Sequence, residues 1–334
     1  MIKKNFFAVI IAITAVVMIS SCESSVNSNK PSDENLSISL LDYSDGFYFF
    51  DTLYRRSFTE FFKDSVTSFL TNNTIIENNI PLEVWVSAVT SFPVGRECIG
   101  KVLLGPRPLQ GYDTSVTNPN LIPDDAYAGR FRKLDTSEYY CNRSAGFIGF
   151  KINLSPNSYV GVVYQNNQLQ IFGKGQHESQ PDDTLILKII KVSNPSPSST
   201  PKSWKLKLKN VYGLTYSNVL LSSKIEVKYK SGDIYLDTIP GYSQPIMTML
   251  KTDKVNNITL QPPPDGYFDL FNGKNFYPDI GVIIFPMLEP FSEGLNEAGV
   301  SQEYQFYELY SQPKFEVYGN TKLNLYRIKG VINN

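Results

Sequence analysis

Histidine and cysteine are almost missing from this 334-residue chain, which has one histidine and three cysteines. These numbers exclude the usual clusters of cysteine and histidine that hold zinc, so no metal site and no cofactor are expected. The one histidine, His177, has no HExxH partner, and no serine or cysteine lies in a nucleophile-elbow motif. We interpret His177 as a surface residue and assign no catalytic residue.

An excess of charge of either sign is also missing. Lys and Arg number 31 and Asp and Glu number 32, which gives a formal net charge of -1. A nearly neutral chain is a poor ligand for polyanions, so nucleic acid is not an expected partner. The sequence also lacks a glycine-rich phosphate loop, a dinucleotide fingerprint and any repeat typical of a solenoid or propeller.

Long apolar runs are limited to the N-terminus, where residues 6–19 follow two lysines. This run of about 14 residues is shorter than the roughly 20 that a membrane-spanning helix needs. It ends in the sequence ISSC at Cys22, which is typical of a lipoprotein signal peptide. We therefore expect residues 1–21 to be removed, Cys22 to carry lipid, and acyl chains to hold the protein in the cell envelope.

Aromatic residues and turn formers are plentiful, with 21 each of Tyr, Phe, Gly and Pro. Together with many Val and Ile residues they predict a mostly β fold with few short helices. Residues 22–38, rich in Ser, Asn, Asp and Glu, are predicted to be the lipidated cysteine and a flexible tether. Residues 39–180 are predicted to form a jelly-roll-like β-sandwich, which abuts a second β-rich half at 181–334.

Individual elements can be predicted from hydrophobic periodicity. Phenylalanines at helical spacing predict a helix within residues 57–70, and Trp85 is expected in a core strand. The almost wholly apolar residues 281–288 predict a strand buried on both faces. Further strands are predicted at residues 81–88, 99–104, 146–153, 159–165, 168–172 and 185–192. The Pro- and Ser-rich residues 193–203 fit either a domain linker or a surface loop.

Two stretches alternate lysines with apolar residues and predict strands with one basic face each. The faces comprise Lys205, Lys207 and Lys209, and Lys224, Lys228 and Lys230. The two faces could lie side by side as a surface for an acidic partner or for anionic lipid. The plainer alternative is that these lysines are solvated and guard a sheet edge.

Cys98 and Cys141 remain after lipidation of Cys22. In an oxidising compartment they could form a disulfide or stay as two buried thiols. Several carboxylates could also converge as a glycosidase pair or a calcium site, although acidic residues at turns usually cap backbone N–H groups. They are Asp265, Asp269, Asp279, Glu289 and Glu293.

A series of motifs occurs in one order along residues 82–310. It includes LEVWV (82–86), CIGKVLLG (98–105), FRKLD (131–135), GFI (146–148), LILK (185–188), WKLKLKNVY (204–212), IEVKY (225–229), PDGYFD (264–269) and IFPMLEPF (284–291). The series resembles the N-terminal module of the SprA (Sov) family of gliding motility and type IX secretion translocon proteins. The resemblance implies an outer-membrane location, at the periplasmic face or the cell surface, and no catalytic residues.

The leading hypothesis is a non-enzymatic outer-membrane lipoprotein that acts as a scaffold or interaction component. Its expected partners are the outer membrane, through the lipid anchor, and components of type IX secretion or gliding motility. A surface carbohydrate-binding lipoprotein is the alternative, because jelly-roll sandwiches commonly bind glycans and exposed aromatic rings could stack on sugars. A hydrolase that uses Asp265 or Glu289 is a third hypothesis.

Overall fold

The computed structural model describes residues 34–63, 74–87, 95–112, 126–215 and 217–333. The predicted signal peptide and Cys22 lie outside these residues. Within them the protein is mostly β, with sixteen strands in four sheets and six short helices, so the predicted fold class is confirmed. No helix in this part of the chain combines the length and the apolar character needed to cross a membrane.

The strands are numbered in chain order. Their bounds are Glu34–Ser39 (β1), Phe47–Phe49 (β2), Glu83–Ser87 (β3), Arg96–Val102 (β4), Ala126–Lys133 (β5), Tyr139–Asn142 (β6), Phe147–Phe150 (β7), Val160–Gln165 (β8), Ile171–Phe172 (β9), Leu185–Lys191 (β10), Val211–Gly213 (β11), Lys224–Ser231 (β12), Ile234–Leu236 (β13), Phe276–Tyr277 (β14), Val282–Ile284 (β15) and Tyr326–Ile332 (β16).

The helices are short and lie between the strands. They are Tyr54–Lys63 (α1), Pro201–Trp204 (α2), Ile246–Met249 (α3), Leu295–Glu297 (α4), Glu308–Ser311 (α5) and Lys314–Val317 (α6). A π-helical turn, Pro290–Gly294, leads into α4. Single 3-10 turns occur at Leu40–Asp42, Thr136–Glu138, Gln176–Glu178, Pro278–Ile280, Gln302–Tyr304 and Thr321–Asn324.

Five strands close into a barrel-like sheet. Strands β10, β4, β5, β3 and β8 are hydrogen-bonded in this order, and β8 returns to pair with β10. The β10–β4 pair is parallel, while the other four pairs are antiparallel. Where the sequence predicts a jelly-roll-like sandwich, this region therefore contains a sheet closed on itself, with β9 added beside β8.

The closed sheet is tightly packed at two glycines. A Cβ on Gly100 would lie 2.2 Å from Cδ1 of Ile189, and a Cβ on Gly161 would lie 2.7 Å from Cβ of Leu187. Trp85 lies opposite Gly161 in the β3–β8 pair, so its buried indole neighbours a residue without a side chain. The expected place of the Trp85 strand in a core is confirmed.

Helix α1 confirms part of the predicted helix, and residues 64–70 of that prediction lie outside the described chain. Its buried residues are Phe58, Phe61 and Phe62, whose spacing of three and four places them on one helix face. The Phe58 ring lies 4.5 Å from the Phe62 ring and 5.8 Å from that of Phe49 in β2. Helix α1 is thereby packed against the three-stranded sheet β2-β7-β6.

The two ends of the described chain meet in a four-stranded sheet of order β1-β16-β12-β13. Leu36 and Ile38 of β1 are buried in the second hydrophobic cluster. Residues 34–38, which the sequence assigns to the tether, are therefore part of a strand. Their alternate apolar side chains are buried in the core, and their backbone pairs with β16. The rest of the predicted tether, residues 22–33, lies outside the described residues.

Residues Ser32–Asn334 form one compact unit, and the boundary predicted at residue 180 falls inside it. Strand β10, which follows that boundary, completes the closed sheet. Conversely, Tyr277, Val282 and Ile284 share the hydrophobic cluster of the first half. Strand β15 is buried at all three positions, so the prediction of a strand buried on both faces is confirmed for residues 282–284, while residues 286–288 lie outside the strand and are half-buried.

Candidate functional site

A cleft of about 560 Å³ lies among the described residues. Helix α1, the end of α2, residues 205–209, the chain after β15 and helix α5 contribute its walls. The lining residues are Arg55, Pro197, Trp204, Lys205, Lys207, Leu208, Lys209, Leu288, Glu289, Tyr307, Tyr310 and Ser311.

The segment from Trp204 to Lys209 is not the strand that its alternation predicts, because Trp204 ends a helix, residues 205–206 form a turn and Lys207 forms only an isolated bridge with Tyr48. Helix α2 begins at Pro201, whose fixed φ suits the first helical position, and Trp204 is its last residue. Only then does the chain run beside β2, where the N–H of Leu208 donates to the carbonyl of Phe47. Leu206 and Leu208 are buried, as their alternation predicts.

The lysine face of this segment is not an open solvated face, which is one of the two alternatives that the alternation leaves open. Lys205 is exposed, but Lys207 pairs with Asp45, and only 6 % of the surface of Lys209 is exposed. Helix α5 and the Asp45 loop cover this side, so its lysines project into the cleft. The prediction of a single open face is wrong here, although all three lysines line one site.

Lys209 lies at the aromatic wall of the cleft. Its Nζ is 3.4 Å from the centroid of the Trp204 ring and donates a hydrogen bond to the carbonyl of Tyr310. The Trp204 Nε1–H donates to the same carbonyl at 3.1 Å. Among the described residues, no carboxylate forms an ion pair with Lys209.

Burial lowers the pKa of Lys209 to about 6, because removal from water disfavours the charged form of the amine. The positive charges of Lys207 and Arg55 act in the same direction, and the carboxylate of Glu289 opposes them. Lys209 is therefore deprotonated more readily than an ordinary lysine.

Three ion pairs lie in or beside the cleft. Asp45 accepts from Lys207 and, at 2.9 Å, from Lys314 of α6. Burial would raise the pKa of Asp45, but these two lysines outweigh it and hold the pKa below its ordinary value. Arg55 lies 3.8 Å from Glu289 and donates to the carbonyl of Lys205 at 3.2 Å.

The second group of predicted lysines lies elsewhere. Strand β12 has the predicted alternation, with Ile225, Val227 and Tyr229 buried. Lys224, Lys228 and Lys230 belong to the four-stranded sheet and do not line the cleft. Lys228 is paired with Glu226 and Asp237. The six lysines therefore do not form one surface.

The disulfide considered for Cys98 and Cys141 is not formed, and both thiols are free. Cys98 is buried on β4 of the closed sheet, whereas Cys141 lies on β6 of a different sheet. Burial raises the pKa of both thiols, that of Cys141 to about 12. Because the thiolate is the reactive form, neither cysteine is a candidate nucleophile.

The carboxylates singled out in the sequence are split between three places. Asp265 and Asp269 accept backbone N–H groups of the loop at residues 254–257, as turn caps do. Burial raises the pKa of Asp269 to about 6. Glu289 and Glu293 line a smaller cleft of about 170 Å³ beside the first, and Asp279 pairs with Lys151 at 3.7 Å. No cluster of three or more metal-ligating side chains occurs in the described residues.

A buried carboxylate lies beside the only histidine, and no local sequence pattern predicts this contact. Glu83 is fully buried and accepts from the backbone N–H groups of Gln176 and His177, both at 2.9 Å, and from Trp85 Nε1 at 3.0 Å. The His177 Nδ1 is 3.0 Å from the same carboxylate, and His177 is an exposed residue, as the sequence predicts. The alternation of β3 predicts strand burial but gives no sign of this partner 94 residues away.

In comparisons with known proteins, no family model matches the chain, and no curated protein does so either.

Proposed function

We propose that this chain is a non-enzymatic, lipid-anchored interaction protein of the outer membrane, which holds a partner protein in the cleft. The partner would be a component of type IX secretion or gliding motility. The lipoprotein motif at Cys22 supports the anchor, and the ordered motif series that resembles the SprA module supports the choice of pathway.

The observation that carries the proposal is the charge and shape of the cleft. Three cations, Arg55, Lys205 and Lys207, and the amine of Lys209 line it together with one carboxylate, Glu289, while Asp45 pairs with Lys207. Clefts of this size with a few placed polar groups are typical binding sites. Its aromatic residues, Trp204, Tyr307 and Tyr310, add the ring contacts that favour protein recognition.

Charge reversal at the cleft tests this proposal. We expect Arg55→Glu combined with Lys205→Glu to abolish co-purification of the partner from outer membranes and to reduce secretion of type IX cargo and surface motility. Lys230→Glu on the four-stranded sheet is the matched control and should have no effect. Deletion of the whole chain without any change in secretion or motility would reject the proposed pathway.

A carbohydrate ligand is the second candidate, favoured by the same aromatic wall. Tyr307 lines the cleft and is 38 % exposed, so its ring could stack on a sugar. Glycan binding by the wild type that Tyr307→Ala removes would support this candidate. An absence of binding to any glycan would count against it.

A further inference from the structure

We infer that the cleft binds a carboxylate-bearing ligand, an acidic polypeptide segment, and that Lys209 takes up a proton when this segment binds. The inference rests on the proposed binding role of the cleft and specifies the chemistry of the partner. It is carried by the arrangement of the basic groups and by the burial of Lys209.

The basic groups of the cleft are not neutralised equally. Asp45 pairs with Lys207, whereas no carboxylate of the described residues pairs with Lys205 or Lys209. Arg55 approaches Glu289 only to 3.8 Å, beyond hydrogen-bond distance. An incoming carboxylate could therefore meet Arg55, Lys205 and Lys209 without breaking a close ion pair.

The spacing of these groups favours a polypeptide with several carboxylates. Arg55 belongs to α1, while Lys205 and Lys209 are four residues apart on another segment, so the cations do not converge on one point. Helix α2 begins with a proline and offers no phosphate-binding N-terminus. Carboxylates distributed along a chain could pair with these cations one by one, and the rings of Trp204 and Tyr307 could contact the apolar parts between them.

Binding would change the protonation of Lys209 because an adjacent anion favours the ammonium form. The charged and titratable groups that face Lys209 are Lys207, Arg55, Glu289 and the buried Tyr310. Burial raises the pKa of Tyr310 well above its ordinary value. Lys209 is thus the cleft base poised to gain a proton near pH 7, and by linkage the affinity should fall as pH rises above 6.

Calorimetry of the full-length lipidated protein in detergent micelles tests the inference. End-blocked tetraglutamate is the probe, and end-blocked tetraglutamine is its neutral control. Titrations at pH 7 in two buffers with different ionisation enthalpies report the protons exchanged. We expect tetraglutamate to bind with uptake of up to about one proton, and tetraglutamine not to bind.

Two variants assign the proton. Lys209→Met should bind with little or no proton uptake, whereas Lys205→Met should bind more weakly with the uptake retained. Thermal melts confirm that both variants are folded, and a fall in wild-type affinity between pH 6 and 8 gives an independent readout if Lys209→Met does not fold. Equal binding of the two peptides, or unchanged proton uptake in folded Lys209→Met, would overturn the inference.

The experiments distinguish a failure of this inference from a failure of the proposed function. A partner that depends on Arg55 and Lys205 in cells, together with no binding of tetraglutamate, would reject the acidic ligand but keep the interaction role. Proton-coupled binding of tetraglutamate, together with no cellular partner at the cleft, would keep the ligand class and reject the proposed pathway.

Discussion

The amine of Lys209 lies 3.4 Å from the ring centroid of Trp204 and donates to the carbonyl that also accepts the indole N–H. This relationship places a buried base against one of only two tryptophans in the chain. A change in the protonation of Lys209 should therefore alter both the free energy of unfolding and the fluorescence of Trp204.

Replacement of Lys209 with methionine should change how stability depends on pH. A lysine in the unfolded chain stays protonated to a pH of about 10.4, whereas burial lowers the pKa of Lys209 in the folded state to about 6. Between these values the unfolded state binds the extra proton, so the wild type should gain stability relative to Lys209→Met as pH rises, by at most about 1.4 kcal/mol per pH unit. Urea unfolding from pH 5 to 9 measures this difference.

Lys205→Met is the control for that series because Lys205 is exposed in the same segment. Its free energy of unfolding should follow the wild type at every pH. A constant difference between the wild type and Lys209→Met across the range would show that Lys209 is charged in the folded protein.

The emission of Trp204 should report the same proton directly. An ammonium ion against the indole face perturbs the ring, whereas an uncharged amine does so much less. We expect the fluorescence of the wild type to titrate near pH 6 and that of Lys209→Met to stay flat. Trp85 supplies a background that both proteins share, and an identical titration in both would contradict the prediction.

Glu83→Gln should destabilise the closed sheet by about 3 kcal/mol at pH 7, since the amide keeps only one of the two acceptor oxygens and leaves the donors to the other without an acceptor. Burial alone would raise the pKa of Glu83, but the N–H groups of Gln176 and His177 outweigh it and hold the pKa below its ordinary value. The stability from this carboxylate is therefore present above the ordinary pKa and is lost as pH falls through the lowered one. The difference between wild type and variant should shrink in acid.

Chemical denaturation at pH 7 and pH 3 measures both parts of the Glu83 prediction. Glu97→Gln on neighbouring β4 is the control, because Glu97 is exposed and should change the free energy of unfolding by less than about 0.5 kcal/mol. Similar losses in the two variants would contradict the assigned role of Glu83.

Gly100→Ala should cost about 1–3 kcal/mol through overpacking, because the new methyl group would overlap the side chain of Ile189. Gly213→Ala, where nothing lies within 4 Å of the new atom, should be nearly neutral. Thermal melts of the two variants compare them. Equal stability would contradict the close packing of β10 against β4.

Local patterns predict some of this structure and miss what depends on distant partners. The alternation in β12, the core place of Trp85 and the helical phenylalanines of α1 each depend on short-range periodicity, and all are found. The parallel pairing of β10 with β4 and the pairing of β1 with β16 join distant segments, and no pattern in either segment identifies its partner.

Local patterns likewise predict only part of the candidate site, because the rest depends on contacts between distant segments. Alternation identifies Lys205, Lys207 and Lys209, and the structure brings them to one cleft. The burial of Lys207 and Lys209 depends on Asp45 and α5, which contact them only in the folded chain. Arg55 and Trp204 were not singled out as site residues, because an isolated arginine on a helix and a tryptophan beside a predicted strand carry no local sign of a cleft.

Site-specific photo-crosslinking in cells tests the central claim most directly. A photoreactive residue at position 205, on the cleft, should capture one discrete envelope protein from the secretion or motility apparatus, whereas the same residue at position 230 should not. Equal capture at both positions, or no protein captured at position 205 while the lipidated protein is present at the outer membrane, would contradict the account.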